Sequence, residues 1–131
     1  MIKFTIGLPP VTKKNSQRIV KMGSRYSIMP SAQYKAYEKA AMLFIPTNKH
    51  SDLTDPLEIK AVFYMPTRSR VDLTNLLEAL DDVLVKSGMI ADDNSRIVVS
   101  HDGSRVRYDK EHPRTEVTIR RIDWEEIERW E

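Results

Sequence analysis

Asp72, in the run Asp72-Leu73-Thr74-Asn75, and the pair Asp92-Asp93, which begins twenty residues later, are the side chains of this 131-residue chain best suited to chemistry. A hard divalent cation draws oxygen ligands from separated segments. A carboxylate at a helix start and a second acidic group beyond the helix end can supply them. The reaction such a centre favours is phosphodiester hydrolysis, where a cation generates the attacking water and offsets charge on the phosphate. Each group also has a structural reading: Asp is a common helix N-cap, and adjacent aspartates in a loop commonly form a solvated turn. Spacing alone leaves both readings open.

The elements that must position these groups follow from periodicity. At about 100° per residue, Leu73, Leu76, Leu77, Leu80, Val83 and Leu84 fall on one face, and Thr74, Asn75, Glu78, Asp81 and Asp82 on the other. Residues 73–86 are therefore expected to form a helix with one buried side. Gly88, after Lys86 and Ser87, is its stop signal. Pro66, Arg68 and Arg70 form a basic connector into Asp72, and Met89-Ile90-Ala91 leads out to Asp92-Asp93.

The segment Arg70-Val71-Asp72-Leu73-Thr74-Asn75-Leu76-Leu77-Glu78-Ala79, followed by Asp82-Val83-Leu84, Gly88 and Asp92-Asp93, resembles the RusA family of Holliday junction resolvases. That family's signature is an Asp-x-Asp-Asn-x-x-Lys helix start, an Asp-Ala-Leu further along, then Gly and an Asp-Asp pair. Leu8-Pro9-Pro10, Asn15-Ser16 and a closing strand at Thr115 to Ile119 match in kind and order, so the resemblance covers most of the chain. It implies a Mg²⁺-dependent endonuclease, with Mn²⁺ as a substitute, that nicks opposing strands of a four-way DNA junction as a homodimer in recombination and repair. Asp72 and Asp93 are the implied metal ligands, with Asp92 and Glu78 next, and Thr74 and Asn75 as partners that hold or orient them. Lys13, Lys14, Asn15, Arg18, Arg68 and Arg70 are the expected DNA contacts. Asp82 matches the family pattern in either a catalytic or a structural role.

Two positions depart from that pattern. Thr74 stands where the family has its second aspartate, and Glu78 where it has a lysine. A hydroxyl is a weaker ligand for a hard cation than a carboxylate, and a lost lysine removes a cation that stabilises the reacting phosphate. Thr74 and Glu78 are four apart on one helix face, so Glu78 can return the missing carboxylate; the alternative for it is a solvated helix glutamate. These departures keep a second function in view, a branched-DNA-binding protein that has the fold and has lost cleavage.

Composition narrows the classes further. The chain has no cysteine, which excludes a disulfide framework and a thiolate metal site. His50, His101 and His112 are scattered without zinc-like spacing and read as surface or loop residues. No apolar run has membrane-spanning length and no signal-peptide core is present, so no membrane is expected and the cytoplasm is the expected compartment. Net charge is only +2, but the first thirty residues carry Lys3, Lys13, Lys14, Arg18, Lys21 and Arg25 with no acid, while residues 123–131 are acidic. Arg68, Arg70, Arg96, Arg105, Arg107 and Arg114 extend the basic bias around the acidic centre, the arrangement a nuclease needs to hold a phosphate backbone.

The expected fold is α+β, one domain over residues 1–131, with a mixed or antiparallel sheet of four or more strands and two main helices. Strands are expected at Ile2 to Gly7, at Leu57 to Met65, and at Thr115 to Ile122. A hairpin is expected from Arg18 to Met22 and Arg25 to Met29 about Gly23-Ser24, and another from Ile97 to His101 and Arg105 to Tyr108 about Asp102-Gly103. Ser31 caps an expected helix from Ala32 to Phe44 with Tyr34, Tyr37, Ala41 and Phe44 inward. Residues 46–56 read as a polar loop, and Asp123 caps a short helix from Trp124 to Trp130.

Overall fold

Leu57, Ile59, Ala61 and Phe63 alternate with Glu58, Lys60, Val62 and Tyr64, a period of two that sends the first set to one face of a strand. The computed structural model, which describes residues 1–13, 17–46 and 54–130, buries that first set completely or nearly so. Lys14, Asn15 and most of the expected 46–56 loop lie outside the described residues. In chain order the elements are β1 (Ile2–Ile6), β2 (Gln17–Met22), β3 (Arg25–Pro30), α1 (Ala32–Ala41), β4 (Leu57–Met65), α2 (Leu73–Lys86), β5 (Val98–Ser100), β6 (Arg105–Tyr108), β7 (Arg114–Arg121) and α3 (Trp124–Glu128).

The main sheet is mixed and five-stranded, as expected. β7 lies between β1 and β4 and is antiparallel to both, with Ile119 opposite Ile2 and Ile59, and Val117 opposite Phe4 and Ala61. The registers put Ile6, Ile59, Ala61, Phe63, Val117 and Ile119 on one face, where Leu76, Leu80, Val83 and Leu84 of α2 join them in a single core. Fully burying such a side chain contributes about 1.5–3 kcal/mol, so this face fixes α2 on the sheet. β2 and β3 form a separate two-stranded ribbon that turns at Gly23, whose φ of 66° is the left-handed region that glycine reaches most easily.

Two expectations need correction. The helix expected to run to Phe44 is α-helical only to Ala41; Met42–Phe44 form a 3₁₀ turn, and Phe44 is 41% exposed, its ring against Gly7. The segments Val98–Ser100 and Arg105–Tyr108 do not form a hairpin: both run parallel to β4 along its one edge, β5 beside its start and β6 beside its end. The chain keeps its direction through residues 101–104, and two side chains mend the interrupted ladder. The His101 ring donates from Nδ1 to the Ile59 carbonyl at 2.8 Å, and Ser104 Oγ accepts from the Ala61 N–H at 3.0 Å. β4, α2 and β5 thus form a β-α-β unit, in which a helix supplies the crossover a parallel pair requires. Among the described residues no helix is long and apolar enough to cross a membrane.

Candidate active site

Asp72 occupies the N-cap position of α2 without acting as a side-chain cap. Its backbone is extended, at φ −89° and ψ 125°, and its carbonyl accepts from the Asn75 and Leu76 N–H groups. The carboxylate bonds to no helix N–H and instead accepts from the Asn75 side-chain amide at 3.2 Å. Ser31 and Asp123 show the contrast, since each accepts a backbone N–H from its own helix start. The exposed carboxylate of Asp72 is therefore steadied from one side while its remaining lone pairs face outward. Thr74 and Glu78 follow along the next turns of α2, and both are exposed.

The loop after α2 divides its two aspartates by task. Asp92 is the turn former: its Oδ1 accepts the Asp93 N–H at 2.8 Å and its Oδ2 accepts the Asn94 amide at 2.8 Å. The Asn94 bond first, and then the Asp93 N–H, hold its carboxyl below the ordinary carboxylate range. Asp93 is pushed the other way, by partial burial first and then by the charge of Asp81.

Asp81 is the residue that periodicity misplaced. Expected on the outer face of α2, it is only 8% exposed, and its Oδ2 lies 2.9 Å from His101 Nε2. It follows Leu80 by one position and Leu77 by four, at the edge of the apolar arc, where a helical pattern assigns no side. His101, expected as a surface or loop residue, lies in the loop after β5 and is half-buried between α2 and β4. The Ile59 carbonyl can only accept, so His101 Nδ1 carries a proton; a second proton must then lie between Nε2 and the Asp81 carboxylate. Burial disfavours the imidazolium, but the bond and charge of Asp81, with the Ile59 carbonyl, outweigh it and raise the His101 pKa above its usual value. Asp81 Oδ1 is buried and has no hydrogen-bond partner among the described residues.

A hard cation fits these residues in kind. The donors are carboxylate oxygens, and Asp81 Oδ1 is a buried carboxylate oxygen without a hydrogen-bond partner among the described residues. Among the described residues no three acidic or histidine side chains are gathered into one cluster. Mg²⁺ is commonly held by one or two carboxylates, with waters and substrate phosphate oxygens completing its shell. Asp72 and Asp81 are nine residues apart on α2, roughly 13 Å along the axis.

The expected basic residues divide likewise. Lys13 reaches α2 and pairs with Asp82 at 3.4 Å, which gives Asp82 a structural contact. The Arg68 guanidinium stacks over the Tyr108 ring, 4.3 Å from its centre. Arg70 is exposed and lines a groove with Pro10, Gln33 and Thr67. Lys14 and Asn15 lie outside the described residues, and of Arg18 only the strand is described. A surface cavity of about 690 Å³ lies elsewhere, between α3 and the sheet; its Arg120 is already bound by Glu58 and Glu126.

The helix-start aspartate, the acidic loop and the basic connector all lie in the stretch that comparison with known families identifies. No curated protein matches the chain. The model of the family described as endodeoxyribonuclease RusA matches residues 8–120, and the chain belongs to that family.

Proposed function

We propose that this protein is a Mg²⁺-dependent, structure-selective endodeoxyribonuclease that resolves four-way DNA junctions by paired nicks, acting as a homodimer. The observation that carries the reading is the Asp72 carboxylate, which stands at the head of α2 inside the matched segment yet serves no helix N–H. Asp72 and Asp93 are the residues that would hold the cation, which supplies an attacking water at neutral pH and offsets charge at the phosphate. Asn75 holds the Asp72 carboxylate in one orientation, and Asp92 folds the loop that carries Asp93. Glu78 contributes a further carboxylate in the place the family gives to lysine. Arg70, Lys14 and Arg18 bind the phosphate backbone, while Lys13 pairs with Asp82. A homodimer matches a junction because the junction offers two symmetry-related scissile bonds.

The test is nicking of a four-way junction with and without Mg²⁺. Asp72→Asn and Asp93→Asn should each abolish cleavage while folding and junction binding persist. A wild-type nicking rate in either variant removes that residue from the site.

A further inference from the structure

We propose that the groove beside Asp72 receives one unpaired nucleobase of the branched DNA, a reading that rests on the function proposed above and specifies how the substrate is engaged. The groove measures about 200 Å³ and lies where the segment after β1, the start of α1 and the connector between β4 and α2 meet. Pro10, Met65 and Val71 give it apolar walls, and Gln33, Thr67 and Arg70 give it polar edges. Gln33 and Arg70 are exposed, and Arg70 has no ion pair among the described residues. Thr67 Oγ accepts the Ser69 N–H at 3.3 Å, which keeps the connector turned around the opening.

The chemistry of this lining selects a flat heterocycle. A phosphate alone would satisfy Arg70 and leave the apolar walls uncovered, whereas a base lays its faces on Pro10, Met65 and Val71 and turns its edge to the polar groups. The Gln33 amide offers both donor and acceptor, and the Arg70 guanidinium offers a planar fork. A paired base cannot enter, because its faces are stacked and only its edges reach a groove. At a branch the stack is interrupted, so extruding a base there costs least. Val71 precedes Asp72 directly and Thr12, also in the lining, precedes Lys13. A nucleotide seated here therefore places its own phosphates next to the candidate catalytic residue.

The experiment uses the intact protein, EDTA to prevent cleavage, and four-way junctions carrying 2-aminopurine at successive positions around the branch. Fluorescence should rise on binding at one position, where the base leaves the stack. An abasic residue at that position should weaken binding about tenfold, the size of a well-made base contact, and Gln33→Ala, an exposed helix position, should remove most of that difference. No fluorescence change at any position overturns the proposal. Equal affinity for abasic and intact junctions at every position also overturns it, and shows that the groove meets phosphate alone. If the protein does not prefer the junction to a linear duplex, the wider reading fails and this one with it, an outcome distinct from junction binding without a base response.

Discussion

His101 uses both ring nitrogens, one to complete the sheet and one to meet Asp81 on the helix above it. Folding raises its pKa above the unfolded value of about 6.5. The folded state thus holds this proton more tightly than the unfolded chain does. The stabilisation is complete below that unfolded pKa and is lost as pH climbs through the folded one. Urea unfolding from roughly pH 5.5 to roughly pH 8.5 should show stability falling on the alkaline side, and the fall should be absent in His101→Gln; parallel curves would remove the pair from the account. At the two positions that depart from the family pattern, a different experiment applies. If Glu78 supplies the carboxylate that Thr74 does not, Glu78→Lys should inactivate the protein and Thr74→Asp added to it should restore cleavage at least in part. Neighbours on one helix face couple in this way. Simple additivity of the two changes in Mg²⁺-dependent junction nicking would show that Glu78 is only a solvated helix residue.

Among the elements, the edge formed by β5 and β6 is held by an exchange of side chains for backbone. Ser104→Ala removes the acceptor of the Ala61 N–H. A buried donor left without a partner costs about 1–3 kcal/mol, and Ala61 should exchange its amide hydrogen markedly faster while amides of α2 stay protected. Unchanged protection at Ala61 would place its acceptor elsewhere. This edge is also where sequence reading stops. Residues 98–100 and 105–108 are β-forming runs around Asp102-Gly103, a dipeptide that signals a hairpin. Nothing local reveals that His101 and Ser104 can stand in for ladder groups and let the chain continue straight. The order strand, helix, strand from β4 through β5 was the available signal, since it favours a parallel pair. By contrast α2 was legible to the residue at both ends, because six apolar positions at helical spacing and the Lys86-Ser87-Gly88 stop each carry their own physical reason. Asp81 was not legible, because its side is decided by a partner twenty residues away. The N-cap position of Asp72 could be read from its type, but the disengagement of its carboxylate could not.

For the molecule as a whole, the net charge of +2 hides a strong asymmetry, with six cations and no acid in the first thirty residues. Lys13 is already neutralised by Asp82, so Lys14 and Arg18 should add more to counterion release than Lys13 does. Replacing Lys14 and Arg18 with Gln should flatten the dependence of junction affinity on salt by about 0.9 in slope for each phosphate no longer neutralised, measured by titration across a salt series. An unchanged slope would take both residues off the DNA surface. Strand order also governs how the protein is made. β7, residues 114–121, is the middle of the sheet, joining β1 to β4. On the ribosome, β1 and β4 emerge long before the strand that separates them, each with an apolar face and an open edge. The nascent chain cannot close its core until β7 has left the exit tunnel. It should therefore bind holding chaperones during translation, and chains stalled before residue 114 should aggregate rather than fold.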